Sequence, residues 1–583
     1  MIKQLKTPWS DTVGSLPLPE YPRPQFVRDS FLNLNGYWKC AFTSSRQQPQ
    51  SYDQDILVPF SPESLLSGVN RILKPDEYLW YKRNFTLEEG FNRGRVILHF
   101  GAADQSAVVY INGQCVGTNE GGYYPFAFDI TDYLKEENEI TIQIRDLSDT
   151  SYYERGKQKI NRGGIWYTPQ SGLWQTVWLE SVPQQYLENV RITPDYKTQT
   201  LHLDFIRNND LPVETEISLN GKLLKHVTSS DDKVAVHFEE IQAWSPENPV
   251  LYDLKLTCGE DTVTSYFAFR CFEIKRASDG RLRFFLNEKA YYPNGLLDQG
   301  YWSDGLYTAP TDEAIIHDIT VCKERGFNAL RKHIKIEPLR WYYHCDRMGM
   351  LVFQDMVNGG ETYSSWTTMF SSVFTTTTKD TQENYKKFAR ENEKGREMYY
   401  TSLKRMIEHL YNCPSIVLWT PFNEGWGQFD SKKAYEYVRK LDDTRVIEPV
   451  SGWHDQNFGD INSKHIYFKA VNMKKFSDDR LYYLSEFGGY TLKLYDHCFN
   501  DKQTFGYKQI RNIDQLNDNL RVLFTRDILN NIDKGLAGSI YTQVSDVEDE
   551  VNGLMTYDRE VTKVNRDTLL DIVEKINEKY RKF

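Results

Sequence analysis

Two glutamates stand out by their surroundings. Glu424 sits in Pro421-Phe422-Asn423-Glu424-Gly425-Trp426-Gly427, just after the apolar run Val417-Leu418-Trp419. Glu486 sits in Leu484-Ser485-Glu486-Phe487-Gly488-Gly489, just after Tyr482-Tyr483. A charge at the end of a buried apolar run needs a reason. For one glutamate the plain reason, an arginine partner or a helix cap, is enough. Two of them in glycine- and aromatic-rich settings point instead to a working pair of carboxylates. Such a pair cleaves glycosidic bonds. One carboxyl group protonates the leaving oxygen, and the other, about 5–5.5 Å away in enzymes that retain configuration, attacks the anomeric carbon. The chemistry needs the two pKa values pushed apart. Gly488-Gly489 predicts a place where a substrate approaches the backbone closely.

The elements that must hold these residues read as a barrel. After about residue 273, strand-like runs alternate with helical patterns, as in a parallel sheet wrapped by helices. Thr311–Arg325 carries Ile315, Ile316, Ile319 and Cys322 at helical spacing, with Thr311 and Asp312 as its cap and Gly326 as its stop. Eight candidate strands lie near 291–295, 328–333, 350–355, 415–420, 446–450, 464–467, 481–485 and 538–543. That count and length suit a (β/α)8 TIM barrel, whose sites form at the C-terminal ends of the strands. Glu424 then follows the fourth strand and Glu486 ends the seventh. A polar, Thr-rich insertion at 358–395 follows the third strand and reads either as a cover over the site or as plain surface.

The first half of the chain is patterned differently. Short strand-like runs separated by turns fill residues 30–180, with the hairpin signal Asn112-Gly113. They predict a β jelly-roll sandwich over 1–184. A tighter series with Asn220-Gly221 predicts a small immunoglobulin-like β-sandwich over 185–272. The catalytic barrel takes 273–583. The chain is thus read as multidomain, with two β domains before the barrel.

Composition excludes other classes. The 583 residues carry a net charge of −11 and no Lys/Arg run long enough to suggest a nucleic-acid partner. No apolar stretch is long enough for a membrane span, and the N-terminal residues lack a signal-type run. The eight cysteines are scattered, without a Cys-x-x-Cys pair, as expected of reduced thiols in a cytoplasmic protein. No motif calls for a cofactor or a metal, although an activating cation or assembly into a homo-oligomer would be compatible with the sequence. Aromatic residues make up 14% of the chain, a composition suited to packing against sugar rings as well as to β-strands.

Beyond the glutamates, the chain resembles glycoside hydrolase family 2, which includes β-galactosidases, β-glucuronidases and β-mannosidases. Leu34-Asn35-Gly36-Tyr37-Trp38 resembles the opening of the family's sugar-binding jelly roll. Gly172-Leu173-Trp174-Gln175-Thr176-Val177-Trp178-Leu179 resembles its closing strand, and the Asn-Glu and Ser-Glu-Phe-Gly motifs resemble its acid/base and nucleophile sites. The resemblance implies a retaining, exo-acting β-glycosidase working on terminal β-linked sugars. It gives Glu424 the acid/base role, Glu486 the nucleophile role, and Asn423 a bond to the sugar 2-hydroxyl. Tyr467 matches a tyrosine beside the nucleophile. Tyr541 falls where many members carry a tryptophan floor. Leu330-Arg331-Lys332-His333 resembles an Arg-x-x-His one residue longer, making His333 a candidate sugar contact. Asp298 is the candidate at strand one, and Trp426 and Trp453 are candidate platforms for a leaving-group sugar.

Substrate is less defined. A β-galactoside is the first expectation, with β-glucuronide, β-mannoside and arabinoside as alternatives, and a non-catalytic carbohydrate-binding protein as the rival of another class. The family's glucuronidases carry an Asn-x-Lys after strand eight. Here that region reads Ser545-Asp546-Val547-Glu548-Asp549-Glu550. It predicts a solvated acidic loop that would repel a uronate unless a basic residue intervened, or else one that binds a cation or sugar hydroxyls.

Overall fold

The computed structural model describes residues 2–364, 367, 377–473 and 478–583. Part of the 358–395 insertion (365, 366 and 368–376) therefore lies outside the described residues. The amino-terminal sandwich packs a six-stranded antiparallel sheet on a four-stranded one. Alternating side chains of both sheets fill its core, as in Arg95–Phe100, where every second residue is buried. Asn112 and Gly113 both adopt positive φ, +52° and +80°, the conformation a two-residue hairpin requires. Asn220 and Gly221 do the same at +52° and +76° in the second sandwich, which packs a three-stranded sheet on a four-stranded one.

A short three-stranded sheet (Phe272–Arg276, Leu282–Leu286, Lys289–Ala290) leads into the barrel. Its Phe272, Phe284 and Leu286 plug the barrel floor, against Leu297, Phe353, Leu418 and Ile540. The barrel strands are β1 (Asn294–Asp298), β2 (Ala329–Lys332), β3 (Leu351–Asp355), β4 (Ile416–Thr420), β5 (Val446–Ile447), β6 (Ile461–Ile466), β7 (Leu481–Gly488) and β8 (Leu536–Thr542). They pair in parallel in the order β5-β4-β3-β2-β1-β8-β7-β6, a nearly closed barrel of eight. Helix α1 (Asp312–Glu324) begins where Thr311 accepts from the Ala314 amide. Helix α2 is Leu339–Met348. Helix α3 (Glu393–Leu410) begins at Asn392, which accepts from the Gly395 amide.

Strand parity decides which residues reach the site. Ala329 and Arg331 of β2 face the barrel interior, while Leu330 and Lys332 face the helices. In β8, Ile540 faces inward and Tyr541 outward. All eight cysteines are free. Among the described residues no helix is long and apolar enough to cross a membrane.

Candidate active site

The two glutamates meet at the mouth of the barrel. One atom each of Glu424, His465 and Glu486 lie within 4.8 Å of one another. Glu424 follows the short extension Phe422–Asn423, which pairs in parallel with Val450–Ser451. Its backbone takes φ +51° and its amide donates to the Ser451 carbonyl at 2.9 Å. That geometry turns the side chain inward from the end of β4.

Glu486, 5% exposed, is wrapped in donors. Arg331 Nη1 donates to its Oε1 at 3.0 Å, and the Tyr467 hydroxyl donates to its Oε2. Tyr467 is held by Tyr507, whose ring stacks parallel at 3.7 Å, and its oxygen also lies 3.2 Å from Thr542 Oγ1. Arg331 is fully buried and also donates to Asp355 Oδ1 at 3.0 Å and to Asn423 Oδ1 at 2.8 Å. The Asn423 oxygen being taken, its amide Nδ2 is left buried without a partner. A buried, unmatched donor beside two carboxylates calls for an acceptor from outside the protein.

Glu424 is bound differently. Its Oε1 lies 2.6 Å from His465 Nδ1, and His465 Nε2 lies 2.9 Å from Ser451 Oγ. Burial depresses the imidazole to about 4, more than Glu486 and the other nearby carboxylates raise it, so the ring is neutral at pH 7. Burial pushes Glu424 up to about 7, against the lowering charges of Lys157 and Arg331. Burial raises Glu486 too, opposed by His465 and Arg331. Donors separate the two carboxyl groups. Glu486 accepts an arginine and a tyrosine hydroxyl, which favour its anion, whereas Glu424 has a single neutral imidazole beside it. The pair can therefore hold one anion and one proton near neutrality.

The remaining expected residues are placed unevenly. His333 is buried at the end of β2, its Nδ1 at 3.0 Å from Asp355 and its ring edge-on to Trp426 at 6.2 Å. Trp426 is 3% exposed, and Trp453 meets the His465 ring edge-on at 5.2 Å. Asp298 is not brought to the glutamates. Its Oδ2 accepts from Lys332 at 2.7 Å and its Oδ1 from the Gly300 amide at 2.8 Å, in a buried ion cluster with Glu337 behind the barrel wall. Tyr541 also points away, packing edge-on against Phe487 at 5.6 Å, while its hydroxyl accepts from the Tyr490 amide. Thr542, the next residue, is the one that faces the site.

Two sequence expectations need correction. Gly488 and Gly489 do not open the backbone to a substrate. A Cβ on Gly488 would fall 2.3 Å from the Tyr541 ring, and one on Gly489 2.4 Å from Tyr507. These glycines, at φ +86° and +64°, make room for aromatic rings. Nor is the 546–550 loop solvated. Asp546 pairs with Lys563 at 2.6 Å, and Arg162 lies 3.2 and 3.3 Å from Glu548 and Asp549. Glu550 accepts from the Tyr167 hydroxyl and from Asn552 Nδ2. Asp546 is answered within the barrel, whereas Glu548, Asp549 and Glu550 are buried against basic and hydroxyl partners from the amino-terminal sandwich.

Sequence reasoning missed Arg331, Asp355, His465 and Tyr507 as members of the site. It also missed the segment 151–170 of the first sandwich, which crosses the barrel mouth. Arg155 donates there to the Glu361 carbonyl at 3.0 Å, and Trp166 packs on Trp426 at 5.3 Å. Lys157, 5% exposed, sits beside Glu550 at 4.0 Å. A signal was present in Arg155-Gly156-Lys157-Gln158-Lys159, three basic residues in five, with Glu154 before them and Arg162 after. Among the described residues, the one group of His, Cys, Asp and Glu side chains close enough to share a metal ion is Glu424, His465 and Glu486. Those atoms are already paired with each other, Arg331, Tyr467 and Ser451, and the guanidinium supplies positive charge there.

Known proteins share this architecture. Residues 281–486 match the model described as the TIM barrel domain of glycosyl hydrolases family 2. Residues 43–183 match its sugar binding domain, and 185–270 match a further family 2 model. A β-galactosidase of Priestia megaterium is 25% identical over 475 residues, covering 76% of this chain and 43% of that protein. A putative β-glucuronidase of Formosa agariphila is 26% identical over 368 residues, covering 59% and 39%. The chain thus spans less than half the length of these relatives. A solved β-glucuronidase of an uncultured Clostridium species superposes with a TM-score of 0.72 at 18% identity, covering 97% of this chain and all of that one. A β-galacturonidase of Eisenbergiella tayi gives 0.67 at 17% identity, over 97% and 99%.

Proposed function

The chain belongs to glycoside hydrolase family 2, and on that premise we propose that it is a retaining, exo-acting β-glycosidase. The observation that carries the proposal is the approach of Glu424 and Glu486 within 4.8 Å, one able to keep a proton near pH 7 and the other held by cationic and hydroxyl donors. That separation suits direct attack and leaves no room for the intervening water an inverting enzyme needs. Glu424 protonates the glycosidic oxygen while Glu486 attacks the anomeric carbon. The C–O bond to the leaving group breaks as the Glu486–sugar bond forms. Water then attacks that ester, giving a proton to Glu424. The free Nδ2 of Asn423 is placed to donate to the sugar beside the nucleophile. The 151–170 crossing and the buried 546–550 loop wall the mouth, which supports attack at a chain end.

A terminal β-galactoside is the favoured substrate, since several curated relatives are named β-galactosidases. Uronides are disfavoured for a physical reason. Lys563, the lysine that follows the acidic loop, is fully buried on Asp546 and is not free to bind a sugar carboxylate. A purely binding role leaves the paired carboxylates unexplained. The test is a panel of nitrophenyl β-glycosides with the wild type and Glu486→Ala. The variant is expected to be inactive and to recover with azide as the α-glycosyl azide. A fully active Glu486→Ala protein would refute the assignment.

A further inference from the structure

We propose that Trp426, Trp166 and Tyr363, with Lys157, Lys159 and Arg155 above them, form a leaving-group subsite for an acidic sugar. The proposal rests on the catalytic reading of Glu424. Three aromatic rings lead outward from that residue. Trp426 follows it by two positions, Trp166 lies 5.3 Å from Trp426, and Tyr363 stacks on Trp166 at 5.9 Å and 28°. Each ring has its own cation. Lys157 Nζ is 5.8 Å from the Trp426 centroid, Lys159 Nζ is 4.1 Å from Trp166, and the Arg155 guanidinium is 4.8 Å from Tyr363. Trp426, 3% exposed, backs the row, so the partly exposed Trp166 and Tyr363 offer the flat faces that suit the apolar faces of a sugar ring, and the acid/base residue marks the side on which the leaving group departs.

The cations are poorly matched within the protein. Among the described residues neither lysine donates a hydrogen bond from Nζ, and the nearest carboxylate to Lys157 is Glu550 at 4.0 Å. Lys157 is 5% exposed, and its charge is felt at Glu424, Glu486 and His333. Arg155 is 3% exposed. It donates to the carbonyls of Gly360 and Glu361, which carry no balancing charge, and its Nε is buried without a partner. Arg162, by contrast, is answered by Glu548 and Asp549. Three cations thus meet two carboxylates, Glu550 at 4.0 Å from Lys157 and Asp149 in the surroundings of Lys159. A buried ammonium without an acceptor is costly, and a carboxylate from the ligand removes that cost.

The experiment uses the full chain and the glycone found with nitrophenyl glycosides. Two β-linked disaccharides of that glycone are compared, differing only at C6 of the reducing sugar, carboxylate against hydroxymethyl. In the wild type at low salt, kcat/KM is expected to favour the acid by about tenfold, the effect of one charge-assisted contact. The preference should shrink as sodium chloride is raised. Lys159→Met, at a partly exposed position, should bring the ratio toward one, while Lys159→Arg should keep it. A wild-type ratio of one or less, or a ratio unchanged in Lys159→Met, overturns the proposal. Hydrolysis of the nitrophenyl glycoside by the wild type separates the two failures, since without it the catalytic reading itself falls.

Discussion

Replacing His465 with phenylalanine removes the hydrogen bond held to the acid/base residue, together with the one to Ser451. The ring volume is kept against Trp453 and Gly452, but both nitrogens are lost. In the wild type Glu424 must offer its proton to the substrate from one oxygen while the other is held. The neutral imidazole does this if Nδ1–H donates to Oε1 and the Ser451 hydroxyl donates to Nε2, at 2.6 and 2.9 Å. That arrangement serves the protonated acid and, more strongly, the carboxylate that acts as base in the second step. A hydrogen bond to a charged group contributes about 1.5–3 kcal/mol. At 1.36 kcal/mol per decade, its loss predicts a fall in kcat/KM of about 10- to 150-fold for substrates whose leaving group needs the proton, because the bond strengthens as Glu424 becomes a carboxylate in the first step. The basic limb of the pH profile should move up, because the anion of Glu424 has lost a donor. The assay is steady-state hydrolysis of aryl glycosides across a range of leaving groups. Substrates with poor leaving groups should show the loss in kcat/KM, and activated ones, which need no proton, should show little of it. An unchanged profile and an equal loss for all leaving groups would refute the reasoning.

In the wild type, kcat/KM should fall above about pH 7, the value to which burial raises Glu424, since the general acid must be protonated in the free enzyme. A pH–rate profile with no basic limb between pH 6 and 9 would count against it. Gly488→Ala places a methyl group 2.3 Å from the Tyr541 ring at φ +86°, so overpacking should cost about 1–3 kcal/mol and lower Tm without new chemistry. A Tm equal to the wild type would show that the Tyr541 ring moves freely. Lys563→Met leaves Asp546 buried and unpaired, a loss of about 3–5 kcal/mol. Burial already raises Asp546 to about 6, and without the lysine it rises further. A carboxylate with a raised folded pKa penalises the fold increasingly from its unfolded pKa upward, and in full only above the folded one. The Tm deficit should therefore be smaller at pH 5 than at pH 8, which thermal melts across that range will show.

The barrel was legible because most strands are short apolar runs bounded by turn residues, and all eight overlap the expected positions, although β1 lies three residues later and β6, Ile461–Ile466, is largely polar. Asn112-Gly113 and Asn220-Gly221 were legible for a local reason, since only such pairs take two positive φ values cheaply. Side-chain direction was less legible. Asp298 and Tyr541 each sit one position from an inward-facing residue, and a shift of one reverses the face. His465 carries no motif of its own. Its place beside Glu424 depends on Gly452, where a Cβ would fall 3.0 Å from the imidazole. The 546–550 loop looked solvated because its partners Arg162 and Tyr167 lie nearly four hundred residues earlier, in another domain. Pairings across such distances leave no local pattern to read.

The central claim is that Glu424 and Glu486 cleave by double displacement, so the anomeric configuration of the first product tests it most directly. Proton NMR, recorded within minutes of adding enzyme to a hydrolysable aryl β-glycoside, resolves the two anomers before they equilibrate. The account predicts that the β-anomer appears first and the α-anomer only later, by mutarotation. Initial release of the α-anomer would contradict it.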